Sequence, residues 1–152
     1  MTDHDVRLAE AERLAGLLIG IVEQAKADFS ETVTALGLSV PLARAIIGLT
    51  EPVPMRDLAC ELRCDRSYIT SLADQLEERG LLTRVPGEDR RVKLLALTDA
   101  GRAVRDQVAA AVADRHILLR RLTDDERRVL TPLLERLHGD GTPPSAHTGG
   151  FC

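Results

Sequence analysis

The charged residues Asp89, Arg90 and Arg91 lie shortly after a Pro-Gly pair, in the turn between two short apolar segments. The segments, residues 81–85 and 92–97, have the length and composition of β-strands, so the charged residues occupy the tip of a hairpin. Guanidinium groups bind phosphate through several hydrogen bonds, and a hairpin tip that carries them can reach the minor groove of DNA. The hairpin therefore predicts a contact with nucleic acid.

A short amphipathic helix precedes this hairpin. Its apolar residues have the i, i+3, i+4, i+7 spacing of a buried helix face, at Ile69, Leu72, Ala73 and Leu76. The opposite face carries mainly small hydrogen-bonding residues, and a helix of about four turns fits the major groove. Another short helix, the third in the chain, is predicted just upstream over Met55–Leu62. Arg63 and Cys64 form a tight connection between the two helices. The arrangement predicts a winged helix-turn-helix, and double-stranded DNA is the leading candidate ligand.

The charge distribution is compatible with DNA although the net charge is −4. Residues 56–105 carry ten Lys/Arg against nine Asp/Glu, whereas residues 1–55 carry four against eight. Binding to phosphates depends on the charge of the face presented to the duplex, not on the total. One Tyr, two Phe and no Trp disfavour an aromatic platform for single-stranded nucleic acid.

Helices are predicted on both sides of this central part. Residues 6–36 form one long amphipathic helix, and Ser39 caps a second helix with Pro41 in its first turn. Thr98 caps a fifth helix that runs to about Leu122, and Thr123 with Glu126 forms the capping box of a sixth. The fold class is mainly α with a small β-hairpin wing, flanked by long N- and C-terminal helices.

The segment LADQLEERGLLTRVPGEDRRVKLLALTDAGRAV resembles the signature of the MarR family of bacterial transcriptional regulators. The likeness lies in the order helix, ERGL, strand, acidic residue plus DRR, strand and LT-x-x-G-R, and it extends more loosely to the first and last helices. It implies a homodimer, joined through the first, fifth and sixth helices, that binds a pseudo-palindromic operator. It also implies control by a small-molecule effector of unknown identity or by oxidation.

The resemblance also assigns residues to the DNA. Arg90 is expected to enter the minor groove, with Asp89 and Arg91 as its supporting pair. The full set of expected DNA contacts is Arg66, Ser67, Tyr68, Thr70, Ser71, Gln75, Arg84, Asp89, Arg90, Arg91 and Lys93. Tyr68 can equally pack at the base of its helix. Asp74, Glu77 and Glu78 are interpreted as a solvated face, because carboxylates repel phosphates.

These patterns predict one unit over residues 1–138, with 37–97 binding DNA and 6–36 with 98–138 forming the dimer. The first, fifth and sixth helices carry more apolar surface than one small winged domain can cover, which favours dimerisation. Residues 139–152 are rich in Gly and Pro and are expected to be disordered.

The sequence offers little support for an enzyme, a metal or a cofactor. The four histidines are scattered, and neither a P-loop nor a nucleophile elbow occurs. Three cysteines without a secretory signal favour reduced thiols, and a thiol switch at Cys60 and Cys64 is the weaker interpretation. We expect a cytoplasmic protein that does not bind membranes. Two alternatives stay open: a winged-helix protein-interaction module without DNA binding, and a thiol-based redox-sensing repressor.

Overall fold

The computed structural model describes residues 2–89 and 91–139, and for Asp3 the backbone alone. The described part is mainly helical with one small antiparallel sheet, which confirms the predicted fold class. In chain order the elements are α1 (Asp3–Ala35), α2 (Val40–Gly48), β1 (Val53–Pro54), α3 (Met55–Leu62), α4 (Arg66–Glu78), β2 (Leu82–Pro86), β3 (Lys93–Leu97), α5 (Asp99–Arg115), α6 (Ile117–Arg121) and α7 (Asp124–His138).

Hydroxyl side chains begin four of the helices. The Ser39 hydroxyl accepts a hydrogen bond from the Leu42 amide, and the Thr98 hydroxyl accepts one from the Gly101 amide. Thr123 and Glu126 form the predicted capping box of α7. A second capping box, which the sequence analysis did not predict, joins Thr2 to Asp5 and starts α1 at Asp3. These caps satisfy backbone N–H groups that have no partner inside the helix.

Two residues with a left-handed backbone conformation end α3 and α4. The first forms the turn of the helix-turn-helix, and the second leads the chain into the wing. Arg63, at φ 52°, ends α3, and the next amide, Cys64 N–H, donates to the Ala59 carbonyl at 3.0 Å. Gly80, at φ 70°, ends α4 in the same way, with Leu81 N–H donating to the Leu76 carbonyl at 2.9 Å. Both turns reverse the chain within a few residues, as a left-handed helix end does.

The sheet has three strands in the order β1-β3-β2. Strand β3 lies in the centre, and its Leu95 is opposite Val53 on one side and Arg84 on the other. Strand β1 was not predicted from the sequence. A two-residue strand has no periodicity of its own, so only its partner strand defines it.

The predicted fifth helix was too long. Helix α5 ends at Arg115, because His116 adopts an extended conformation and its Nδ1 accepts from the Leu118 amide at 3.3 Å. This cap starts the separate short helix α6. Apolar residues continue on both sides of His116, so periodicity alone does not reveal the break.

The core lies where the winged unit packs against the C-terminal end of α1 and against α5. Its largest fully buried side chains are Val33, Leu42, Ile46, Leu49, Leu58, Ile69, Leu76, Leu95 and Val108. By contrast, α7 buries no residue, and α1 exposes large apolar side chains over its first two thirds. Within the described residues no single helix is both long and apolar enough to cross a membrane; only α1 and α2 taken together, at 93° to each other, reach that composition.

Candidate DNA interface

Helix α4 presents a polar face to solvent, as the apolar spacing predicted. Its four predicted inward residues, Ile69, Leu72, Ala73 and Leu76, are all buried. Arg66, Ser67, Ser71 and Gln75 are exposed, and Thr70 is half-buried. Tyr68 keeps 45% of its surface exposed while it also lines a small cavity beside Cys64 and Leu72. Its ring therefore contacts the base of the helix and remains accessible.

The hydrogen bonds of these residues divide the helix into two parts. The Thr70 hydroxyl donates to the Arg66 carbonyl at 3.0 Å and contacts the Met55 sulfur at 3.2 Å. The Gln75 amide nitrogen donates to the carbonyl and the hydroxyl of Ser71. Arg66 and Ser67 form no side-chain hydrogen bond with another described residue. The N-terminal end of α4 thus keeps its donors available for a ligand.

The tip of the hairpin is a tight turn held by Asp89. Its Oδ1 accepts from the backbone N–H of Arg91 at 2.9 Å, and its carbonyl accepts from Val92 N–H at 2.8 Å. The Gly87 amide closes the loop on the Val92 carbonyl at 2.9 Å. Asp89 therefore supports the shape of the loop, while the Arg91 side chain is exposed and forms no ion pair with another described residue.

The remaining cations of the wing differ in their surroundings. Lys93 is exposed at the start of β3, opposite Pro86. Arg84 instead forms ion pairs with Asp74 and Glu77 of α4. A hydrogen bond to Asp74, together with both nearby carboxylates, raises the pKa of Arg84 despite an opposing effect of burial. Arg90, the residue expected to enter the minor groove, lies outside the described residues.

The two described cysteines do not form a pair with each other. Cys64 is a free thiol, and burial raises the pKa of that thiol; the charge of Asp65 acts in the same direction and Arg44 opposes it. A raised pKa lowers the fraction of reactive thiolate. Cys60 has an interaction partner of its own. The thiol switch at Cys60 and Cys64 stays a prediction.

A cleft separates α1 from the winged unit. It has a volume of about 760 Å³. Its walls come from α1, α2, the α2–β1 connection and α3, and the lining residues include Val22, Phe29, Ile47 and Leu62 together with the charged side chains of Lys26, Arg44, Glu51 and Glu61. The volume lies within the range of small-molecule sites. Across the described ranges, no group of three His, Cys, Asp or Glu side chains is arranged to hold a metal ion.

Comparison with known proteins finds similarity to one family. The MarR family model matches residues 45–93, which include the end of α2, all of α3 and α4, and the wing. A crystal structure of a cysteine-to-serine mutant of MarR from E. coli is 25% identical, with a TM-score of 0.68 over 83% of this chain and 96% of that chain. Over these residues the chain is therefore similar to the MarR family. No curated protein matches the sequence significantly.

Two further MarR-family structures are similar to the chain and carry ligands. CouR from Rhodococcus jostii RHA1, bound to p-coumaroyl-CoA, is 28% identical with a TM-score of 0.68, over 84% of this chain and 92% of that chain. The same MarR mutant from E. coli complexed with operator DNA is 26% identical with a TM-score of 0.65, over 84% and 95%. The winged unit and the flanking helices of this chain thus have the arrangement of known MarR regulators.

The sequence analysis missed one feature of this site. Asp74 and Glu77 are exposed, as predicted, but both also form ion pairs with Arg84 that were not predicted. Their spacing of three positions on one helix was visible in the sequence. Their partner Arg84 could not be identified from the sequence, because it reaches them only after the chain reverses at Gly80 and returns along α4.

Proposed function

We propose that this protein is a dimeric, sequence-specific DNA-binding transcriptional regulator, acting as a repressor whose operator affinity a small ligand changes. The observation that carries the proposal is the polar face of α4, with its accessible Arg66 and Ser67, in the same unit as a hairpin that exposes Arg91 and Lys93. A helix in the major groove and a hairpin beside it use both elements at once. The likeness to a MarR structure solved with operator DNA supports this assignment.

The contacts divide into two chemical classes. Ser67, Ser71 and Gln75 stand on the helix face that would meet base edges, and Arg66 begins that face. Arg91 and Lys93 on the wing supply charge for phosphates or for the minor groove, with Arg90 proposed as the inserted residue. Phosphate contacts fix orientation, whereas base contacts provide specificity. We therefore expect wing variants to weaken binding to all sequences and α4 variants to alter sequence preference.

Fluorescence anisotropy tests the proposal. Purified protein is titrated against the DNA immediately upstream of its own gene and against an unrelated duplex at three salt concentrations. Preferential binding that weakens linearly with the logarithm of salt supports an operator-binding regulator. Arg91→Met should weaken binding to both duplexes and reduce the salt slope by about 0.9, the value of one lost phosphate contact.

The matched control is Arg79→Met, which removes an exposed arginine at the end of α4. It should leave both affinity and salt slope near those of the wild type. Equal, weak binding of the wild type to both duplexes would contradict the proposal and favour a protein-interaction module instead.

Dimerisation is proposed from the apolar surface that the chain does not cover itself. Large apolar side chains of α1 and α7 are exposed, among them Leu14, Leu17, Leu18, Val129, Leu133 and Leu137. A two-fold axis through these helices would place two recognition helices about 34 Å apart on one face of DNA. We assign residues 37–97 to DNA binding and residues 6–36 with 98–138 to the dimer. The operator should then be an inverted repeat.

The effector site is proposed in the cleft between α1 and the winged unit. A ligand there contacts both the dimerisation arm and the DNA-binding part, so it can favour one spacing of the two winged units over another. Ala25→Phe should fill part of the cleft and abolish the response to an effector found by screening, with ligand-free operator affinity unchanged. A full response in this variant would exclude the cleft. We assign the protein no catalytic activity and propose a cytoplasmic location beside its DNA.

A further inference from the structure

Arg84 links the wing to the recognition helix. Its Nη1 donates to Oε2 of Glu77, and its Nη2 donates to Oδ1 of Asp74. Residues three positions apart on a helix lie on the same face about one turn from each other, and a planar guanidinium can bridge two carboxylates. The Arg84 side chain is 28% exposed, less than Asp74 at 54% and Glu77 at 40%. The Arg84 side chain is thus the least exposed member of this ion-pair cluster.

The position of Arg84 in the sheet explains this contact. Leu82 and Arg84 point to the same face of β2, because side chains alternate along a strand. Leu82 is buried in the core, and Leu95, opposite Arg84 on β3, is also buried. Arg84 is therefore the first polar residue on this face as the hairpin leaves the core. From this position its side chain reaches back to α4.

The contact also changes the charge beside the proposed DNA-facing residues. Asp74 follows Ser71 by one helical turn and directly precedes Gln75. Without Arg84, Asp74 and Glu77 would place two negative charges next to this face and repel phosphates. With Arg84 bound between them, the cluster carries one net negative charge.

We propose that Arg84 is a positioning residue and not a DNA contact: it holds the hairpin at a fixed angle to α4 and partly neutralises the acidic pair on that helix. The consequence for DNA affinity rests on the proposed function. The connection between wing and helix is a property of the free protein, so it is testable without DNA.

The first experiment measures amide hydrogen exchange in the full chain without DNA, at the hairpin amides of Gly87 and Val92. Arg84→Met should accelerate their exchange about two- to fivefold, the range that an exposed ion pair supplies. Asp74→Asn combined with Glu77→Gln should give the same acceleration, and all three changes together should add nothing. Arg79→Met is the control and should have no effect. Unchanged exchange in Arg84→Met would overturn the proposal.

The second experiment measures operator affinity against salt for Arg84→Met combined with Asp74→Asn, which keeps the cluster at one net negative charge, beside Arg91→Met. Loss of a positioning residue at unchanged cluster charge should weaken binding with the salt slope kept at the wild-type value, whereas loss of a phosphate contact lowers the slope by about 0.9. A lowered slope for the combined variant overturns the proposal. Failure of the wild type to prefer its operator would refute the proposed function, and the exchange experiment would still decide the role of Arg84.

Discussion

Replacement of Gly101 by alanine should destabilise the protein through one backbone contact. Gly101 is buried in the first turn of α5, where its amide donates to the Thr98 hydroxyl at 3.0 Å. A Cβ built at this position would lie 1.9 Å from the Leu81 carbonyl oxygen and 3.2 Å from Leu97 Cβ. The same carbonyl accepts a hydrogen bond from Thr98 N–H at 3.1 Å. The added methyl group therefore meets backbone that already has a fixed partner.

The expected cost follows from this geometry. The contact cannot be relieved by rotating a flexible side chain, so α5 has to move away from the base of the wing. Overpacking of a core typically costs about 1–3 kcal/mol, and loss of the Thr98 hydrogen bond would add about 1 kcal/mol. The higher helix propensity of alanine returns about 1 kcal/mol. We expect a net loss of about 1–3 kcal/mol in the free energy of unfolding.

Urea unfolding followed by circular dichroism measures this change at one fixed protein concentration, because dimerisation makes stability depend on concentration. Gly16→Ala is the matched control. Gly16 is also helical, but a Cβ there meets no atom within 4 Å. It should stabilise the protein by up to about 1 kcal/mol. Equal unfolding midpoints for Gly101→Ala and wild type would refute the reasoning about close approach.

Three further predictions concern the proposed dimer interface on α1, the N-terminal cap of α7 and the thiol of Cys64. Leu18→Glu should shift sedimentation towards a monomer, while Ala27→Glu, half a helical circumference away on α1, should not; two dimeric variants would contradict the proposed interface. Hydrogen bonds from Thr123 lower the pKa of Glu126 below its usual 4.5. The ionised Glu126 stabilises α7 above that pH, and this stabilisation is lost as the pH falls through the lowered pKa. Glu126→Gln should therefore make the melting temperature less dependent on pH on the acid side. An unchanged pH profile would contradict this role of Glu126. Cys64→Ser should leave operator affinity under mild oxidant equal to that of wild type, because the raised pKa disfavours the thiolate; a lost oxidant response would support the redox-sensing alternative.

Local patterns determined most of the elements. The apolar spacing in α4 identified its buried face correctly, since a 3.6-residue period shows which residues share one side of a helix. Ser39, Thr98 and Thr123 marked helix starts for an equally local reason, because each hydroxyl bonds a backbone amide three positions later. The Pro-Gly turn between two apolar segments identified the hairpin.

Tertiary structure decided the features that join residues distant in sequence. Strand β1 exists only because β3 pairs with it, and Gly101 is required only because the Leu81 carbonyl packs against it. Arg84 looked like one more cation for DNA until the fold placed Asp74 and Glu77 around its guanidinium. Sequence spacing specifies which residues share a helix or strand face, whereas the partner that a charged side chain meets depends on how those elements pack.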